Sequence, residues 1–174
     1  MEYIVCTGLS GRFGKYFKEF MSNTGYTLIN ISRKENTKYF DAIDIAHHVP
    51  YTTKSINIKA IIHLATDTSN RGNDVAMAKN MIEFAKVQCV KHFIFMSSWV
   101  VLFNDGYYTN DYIRNKRLCE TMVREYNGCI IRPSCIIGDG TQQWDEINRA
   151  MSYIVPVTIS ADLILKSTQC ANAY

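Results

Sequence analysis

Three glycines stand three residues apart in the run TGLSGRFG, residues 7–14. An apolar segment precedes this run and a segment with helical spacing follows it, so the glycines lie on a turn between a strand and a helix. Such glycines allow a tight turn, let the backbone approach a diphosphate and pack the helix against the strand. Because a helix N-terminus favours an anion, the turn predicts dinucleotide binding, with a ligand-free tight turn as the alternative. The residues expected to contact the dinucleotide here are Gly8, Ser10, Gly11, Arg12, Phe13 and Gly14.

Tyr112 and Lys116 form a second pair of residues that could do chemistry. Residues four apart share one face of a helix, so the phenol and the ammonium can converge on one point. A neighbouring lysine stabilises phenolate and lowers the pKa of the tyrosine, which suits a proton donor or acceptor. Tyr107 and Tyr108 compete for this role, but neither is followed by a lysine four residues later. The pair therefore predicts that Tyr112 transfers a proton. The alternative is that both residues lie on a solvated helix surface and have no catalytic role.

Short β-rich runs that alternate with helical segments must position these residues. The predicted strands cover residues 3–6, 26–31, 41–45, 60–65, 91–96 and 129–132, and the predicted helices cover 11–23, 73–88 and 112–126. Strands that are continuous apolar runs separated by helices indicate a parallel sheet covered on both faces. We therefore predict an α/β, doubly wound parallel sheet, the Rossmann fold. The dinucleotide-binding domain is expected over residues 1–140 and a short C-terminal, substrate-side extension over 141–174.

Several segments of the chain follow the order of a known family. They are the glycine turn, the pair Asp44-Ile45, the run IIHLAT (61–66), the run FIFMSS (93–98) and the run IIRPSCIIGDG (130–140). Together they resemble the short-chain dehydrogenase/reductase superfamily, in particular its extended branch of NAD-dependent epimerases and dehydratases. Tyr112 and Lys116 match the YxxxK motif of that family. The resemblance covers roughly residues 2 to 140.

The resemblance implies roles for further residues. Ser98 would orient the substrate toward Tyr112, and it is preferred to Ser97 because the family's reactive residue is usually the last hydroxyl before the strand opens into its loop. Lys116 would also bond the hydroxyls of the nicotinamide ribose. The other implied cofactor contacts are Asp44 and Ile45 at the adenine, Leu64, Ala65 and Thr66 beneath the adenosine and ribose, and Pro133 and Ser134 beside the nicotinamide.

The end of the second predicted strand bears on the choice between NAD and NADP. An acidic residue at this place would bond the ribose 2′-hydroxyl and repel a 2′-phosphate. The chain instead offers two adjacent cations, Arg33 and Lys34, and an arginine can pair with a phosphate bidentately. NADP is therefore the preferred prediction and NAD the alternative, unless both cations are merely solvated loop charges.

By resemblance, the chain is expected to be an NAD(P)-dependent oxidoreductase or epimerase/reductase. Its substrate would be a small molecule, a sugar or nucleotide sugar, with Tyr112 as proton donor or acceptor. The chain departs from the family in its length and in Trp99, which replaces a small residue after the serine. Two alternatives are a non-catalytic NAD(P)-binding sensor, similar to NmrA-like proteins, and a truncated inactive relative.

Composition bears on the remaining function classes. The net charge is only +3 and no run of Lys and Arg concentrates it, so no nucleic-acid partner is expected. The absence of a signal peptide, of a long apolar stretch and of paired cysteine motifs predicts a cytoplasmic protein with reduced thiols and no membrane partner. His47 and His48 lack a ligand partner at metal spacing, so no metal site is expected. The resemblance also implies a possible homodimer.

Overall fold

Five parallel strands form one sheet in the computed structural model, which describes residues 2–67, 72–102 and 110–134. The strands are β1 (Tyr3–Thr7), β2 (Thr27–Ile31), β3 (Ile58–His63), β4 (His92–Met96) and β5 (Cys129–Ile131), and they lie in the order β2-β1-β3-β4-β5. The helices of the described ranges are α1 (Arg12–Ser22), α2 (Asn73–Val87) and α3 (Asp111–Glu125), with a 3₁₀ helix over Trp99–Leu102. The prediction of a parallel, Rossmann-like α/β sheet is confirmed. The predicted extension over 141–174 and the segment 135–140 lie outside the described residues.

Apolar side chains cover both faces of the sheet because its central strands carry apolar residues at successive positions. On one face, Phe17 and Met21 of α1 pack in a cluster with side chains of β1, β3 and β4. On the other face, α2 and α3 contribute Phe84 and Val123 to a larger cluster. Residues three and four apart on a helix share a face, so the phenylalanine spacing in α1 is what directs that helix onto the sheet.

The predicted third strand, residues 41–45, is wrong: these residues form no strand. The side chain of Asn36 accepts a hydrogen bond from the backbone N–H of Ala42 at 2.6 Å, so this donor is not available to a sheet. The carbonyl of Asp44 accepts from the N–H groups of His47 and His48, which turns the chain. The alternating polar and apolar residues 41–45 therefore lie in a loop with several turns. Without a strand from this segment, β2 is an edge strand of the described sheet.

The topology gathers the predicted site residues at one edge. Parallel strands have their carboxyl ends together, and ligands of such sheets bind outside those ends, where the strand order reverses. The order reverses between β1 and β3, so Gly8 and Leu64 follow the two strands that flank this point. Within the described ranges, no helix is long and apolar enough to cross a membrane.

Candidate functional site

The glycine turn is shaped by close backbone contacts. Gly8 has a φ of 78°, and a Cβ at this position would lie 2.7 Å from the backbone nitrogen of Ala65. A Cβ at Gly14 would lie 2.5 Å from the carbonyl oxygen of Gly8. Both positions therefore require glycine, one because of its left-handed backbone and both because there is no room for a side chain. This geometry is that of a tight turn at Gly8 and of close packing between the turn and the helix at Gly14, as the glycine spacing predicts.

The start of α1 is open toward the same edge of the sheet. Gly11 is its N-cap residue, it is exposed, and no side chain caps the helix. The first turn carries no acidic residue that would oppose an anion. Since the first N–H groups of a helix have no intrahelical acceptor, this turn fits a diphosphate group. Among the other predicted contacts in the turn, Ser10 is exposed, Arg12 begins the helix, and Phe13 stacks on Phe17 with ring centres 6.3 Å apart.

Thr7 joins the turn to the end of β3. Its hydroxyl oxygen accepts from the backbone N–H of Ala65 at 3.2 Å and lies 2.7 Å from Nδ1 of His63, while its carbonyl accepts from the N–H of Leu64. Burial, with a smaller effect of the Lys116 charge, lowers the pKa of His63 to about 3. His63 is therefore a neutral, hydrogen-bonded core residue. Leu64 and Ala65 remain partly exposed beside the glycine turn, where the resemblance places the adenosine and ribose.

Arg33 and Asp44, two predicted cofactor residues, meet each other. The guanidinium of Arg33 lies 3.6 Å from Asp44 Oδ2, and the Arg33 side chain is 72% exposed. Asp44 also accepts from the backbone N–H of Ala46 through Oδ1. Ile45 points into the core and is only 6% exposed, so its side chain cannot serve a cofactor; only its backbone is left for the predicted adenine contact.

The two serines at the end of β4 have different partners. The hydroxyl of Ser97 is buried and donates to Glu120 Oε1 at 2.7 Å. Ser98 is half-buried and lies close enough to Tyr112 for its hydroxyl to lower the pKa of the phenol. Ser97 is thus engaged with a carboxylate, and the assignment of Ser98 as the reactive serine stays a prediction.

The predicted lowering of the Tyr112 pKa is wrong. Burial raises the pKa of the Tyr112 phenol, and the charge of Asp74 raises it further, while the hydrogen bond with Ser98 lowers it without cancelling the burial effect. Lys116 lies behind the ring, with Nζ 5.7 Å from the ring centre. The ammonium is thus closer to a carboxylate than to the ring, since Asp74 Oδ1 is 3.9 Å away.

Lys116 is not on a helix surface. It is 2% exposed and lies between Tyr112 and the ring of Phe95, whose centre is 5.0 Å from Nζ. Burial lowers the pKa of Lys116, and the charge of Asp74 opposes that effect. The alternative of a solvated surface pair is therefore excluded for Lys116, and the pair with Tyr112 is held inside the site.

The end of β5 packs against the loop after β4. The backbone N–H of Ser97 donates to the carbonyl of Ile131 at 2.8 Å, and the N–H of Trp99 donates to the carbonyl of Pro133 at 3.0 Å. Pro133 is half-buried and Ser134 is exposed. These bonds bring Pro133 next to the Ser98 loop, and the predicted place of Pro133 and Ser134 beside the nicotinamide stays a prediction.

Two charged residues of the site were not predicted. Glu120 is 2% exposed and its carboxylate accepts two hydrogen bonds from Arg132, at 2.8 and 2.7 Å, and one from Arg124 at 2.7 Å. Its position four residues after Lys116 was a usable signal, because it continues the same helix face. Asp74, in the first turn of α2, gave no such signal, since an acid there is commonly a response to the helix dipole.

Comparisons with known proteins identify the family of the chain and its fold. The sequence matches the NAD dependent epimerase/dehydratase family over residues 4–160. No curated protein matches the chain closely enough to count as a relative. Similar solved structures include a UDP-galactose 4-epimerase (18% identity, TM-score 0.60, 75% of this chain and 55% of that one). They also include RMD from Pseudomonas aeruginosa in complex with NADPH (19% identity, TM-score 0.60, 86% and 59%). A third is a dTDP-4-dehydrorhamnose reductase from Clostridium acetobutylicum (15% identity, TM-score 0.69, 98% and 71%).

The chain spans 55% of the UDP-galactose 4-epimerase and 59% of RMD, so it covers little more than half of the length of those two proteins. At these identities the structural likeness shows the fold. The family match is the stronger result because it extends over most of the sequence and includes the glycine turn, Ser98, Tyr112 and Lys116. The chain belongs to the NAD dependent epimerase/dehydratase family.

Proposed function

We propose that the chain is an NAD(P)-dependent oxidoreductase or epimerase that acts on an oxygen-bearing carbon of a sugar, one linked to a nucleotide. The observation that carries this proposal is the contact between Ser98 and Tyr112, with Lys116 buried behind the phenol. These three side chains lie at the edge of the sheet that also holds the glycine turn. A phenol next to a dinucleotide-binding turn suits transfer of a proton at a carbon that gains or loses a hydride.

The roles of the protein groups follow from their positions. The nicotinamide ring, when bound, supplies or takes the hydride. Tyr112 holds the proton that the substrate oxygen gains or loses. Ser98 lies beside the phenol and would orient the substrate oxygen toward it, while Lys116 places a positive charge near the ring. The positive charge would favour the phenolate form as the proton leaves.

NADP is the cofactor that we favour, with NAD as the alternative. Arg33 follows β2 and is exposed, so its guanidinium can reach a 2′-phosphate. The guanidinium of Arg33 contacts Asp44, so a bound 2′-phosphate would share the guanidinium with this carboxylate. The matched family is described as NAD dependent and one similar structure holds NADPH, so both dinucleotides occur among the proteins that this chain resembles.

Loss of the Tyr112 hydroxyl tests the proposed chemistry. The chain would be assayed for NADPH oxidation with a panel of nucleotide-linked keto sugars, and Tyr112→Phe would be compared with wild type. Removal of a general acid or base should lower kcat by about 100-fold or more. NADPH binding should remain, because the glycine turn is unchanged. Tyr51→Phe is the matched control, since Tyr51 is exposed and bonds only the loop carboxylate of Asp41 among the contacts described.

A non-catalytic NAD(P) sensor is the second candidate. The observation that favours it is the raised pKa of Tyr112, together with the pairing of Lys116 and Asp74, because both make phenolate harder to form. A sensor would bind NADPH with the same glycine turn and would turn over none of the keto sugars. Equal NADPH binding by wild type and Tyr112→Phe, with no turnover by either, would favour the sensor.

A further inference from the structure

Asp74 places a buried carboxylate directly against the proposed catalytic pair. It is 5% exposed, and its Oδ1 lies 3.9 Å from Nζ of Lys116. The same oxygen accepts from the backbone N–H of Asp67 at 2.8 Å and from the hydroxyl of Thr66 at 3.0 Å. The carboxylate is therefore fixed by two donors from the loop after β3, and it meets the ammonium from a different helix. The residue is neither a helix cap nor a surface charge.

The other groups around Lys116 do not supply a negative charge. From β3 it faces His63, which is neutral because burial lowers the pKa of that ring to about 3. From α3 it faces the Tyr112 phenol and the Cys119 thiol, whose pKa burial raises to about 12. From β4 it faces the ring of Phe95. A buried ammonium among such neighbours needs a counter-ion. Among the described residues, Asp74 is the one that faces it with a negative charge.

We propose that Asp74 is a positioning residue of this site: its carboxylate is the counter-ion of Lys116, holds the ammonium behind Tyr112, and sets how readily the Lys116–Tyr112 pair gives up a proton. The catalytic role of Asp74 rests on the proposed function, whereas its effect on how readily Lys116 and Tyr112 lose a proton does not. The carboxylate opposes loss of a proton from either member of the pair, because it attracts the ammonium and repels the phenolate. The charge of Asp74 accordingly raises the pKa of Tyr112 and that of Lys116.

The substitution Asp74→Asn isolates the charge. Asparagine keeps an oxygen that can accept from Asp67 and Thr66, so the loop after β3 retains its hydrogen bonds. Whichever of the two groups loses the first proton, its loss becomes easier in the variant. Because the two groups are coupled, the measurable quantity is the first apparent pKa of the pair. We expect it to fall by about one unit, the lower end of what an adjacent charge produces.

The experiment is an NMR titration of the full chain without ligand. Tyrosine is labelled at Cζ and lysine at Cε, and the two signals are assigned with Tyr112→Phe and Lys116→Met. Glu83→Gln is the matched control, because it removes the same charge from an exposed position of the same helix. A fall in the first apparent pKa in Asp74→Asn but not in Glu83→Gln supports the proposal. No fall, or the same fall in both variants, overturns it.

NADPH binding to the same samples separates this result from the proposed function. If neither protein binds NADPH, the proposed function fails, whereas the titration still decides the role of Asp74. If Asp74→Asn does not fold, the double variant Asp74→Asn/Lys116→Met decides instead. It should fold, since a methionine needs no counter-ion. Failure of the double variant as well would mean that Asp74 serves the packing of α2, and the proposal would be wrong.

Discussion

The hydroxyl of Ser97 lies 2.7 Å from Glu120 Oε1, while the next hydroxyl along the chain, that of Ser98, lies on the side of Tyr112 and lowers the pKa of its phenol. Adjacent residues at the end of a strand point to opposite sides, so one serine faces the structural carboxylate and the other faces the phenol. This division explains how two identical side chains serve different purposes. Substitution of Ser97 can therefore serve as the control for substitution of Ser98.

Replacing Ser98 with alanine should raise the pKa of Tyr112 further. The Ser98 hydrogen bond is the contact that lowers this pKa, and it would be lost in Ser98→Ala. Ser97→Ala should leave the titration of Tyr112 unchanged, because its hydroxyl bonds Glu120 instead. Titration of Cζ-labelled tyrosine measures both effects. An equal rise in the two variants would contradict the assignment of Ser98 to the phenol.

Glu120 should make the stability of the domain depend on pH. Burial alone would raise the pKa of this carboxyl, but hydrogen bonds from Arg132 and Ser97 and the charges of Arg132 and Arg124 outweigh burial and hold it below the ordinary value of 4.5. A carboxyl with a lowered pKa in the folded state stabilises fully above its unfolded pKa, and this stabilisation is lost as the pH falls through the folded pKa. Glu120→Gln should cost about 2 kcal/mol of unfolding free energy near neutral pH and less in acid.

Urea unfolding of wild type and Glu120→Gln at about pH 6 and about pH 3.5 measures this dependence. The difference between the two proteins should shrink at the lower pH. Glu125→Gln is the control, because Glu125 is exposed at the end of the same helix. A difference that stays constant with pH would show that the charge of Glu120 is not what stabilises the contact between α3 and Arg132, the residue after β5.

Glycine 14 should not tolerate a methyl group. In Gly14→Ala the added Cβ would meet the carbonyl oxygen of Gly8 and Cα of Leu9 at 2.5 Å, and both are backbone atoms of the binding turn. We expect a loss of about 2 kcal/mol of stability, even though alanine favours a helix by about 1 kcal/mol, and a loss of NADPH affinity. Gly25→Ala is the control, since a Cβ there meets nothing within 4 Å. Unchanged NADPH binding in Gly14→Ala would argue against the turn as the diphosphate site.

The fold could be predicted from the sequence because its signals are local. The glycine spacing fixed the turn, the phenylalanines of α1 marked its buried face, and the bounds of α2 and α3 differ from the predicted ones by one residue at most at each end. Residues 41–45 show where local patterns fail. Their alternation is typical of a strand, but the hydrogen bond that the Ala42 N–H donates to the Asn36 side chain and the turn at Asp44 direct the backbone elsewhere.

The electrostatics of the site could not be predicted from spacing alone. The i, i+4 rule brought Tyr112 and Lys116 together correctly, because both lie on one helix. The rule carried no information on burial, which raises the Tyr112 pKa, nor on Asp74, which reaches Lys116 from another helix. Long-range contacts of this kind depend on how helices pack on the sheet, and a pattern within one element does not contain them.

Arg33 should decide between NADPH and NADH. If its guanidinium binds the 2′-phosphate, Arg33→Met should raise the Kd for NADPH by about ten-fold, the effect of one charged hydrogen bond, and leave the Kd for NADH unchanged. Lys38→Met is the matched control, because Lys38 is an exposed cation of the same loop that lies over the ring of Tyr39. Nicotinamide fluorescence measures both constants. Asp44→Asn should lower the Kd for NADPH relative to the Kd for NADH, since it frees Arg33 from its present partner at 3.6 Å, whereas a lost adenine contact would affect both dinucleotides alike. If Arg33→Met weakened both dinucleotides equally, or no more than Lys38→Met does, the preference for NADP would have no basis in this residue.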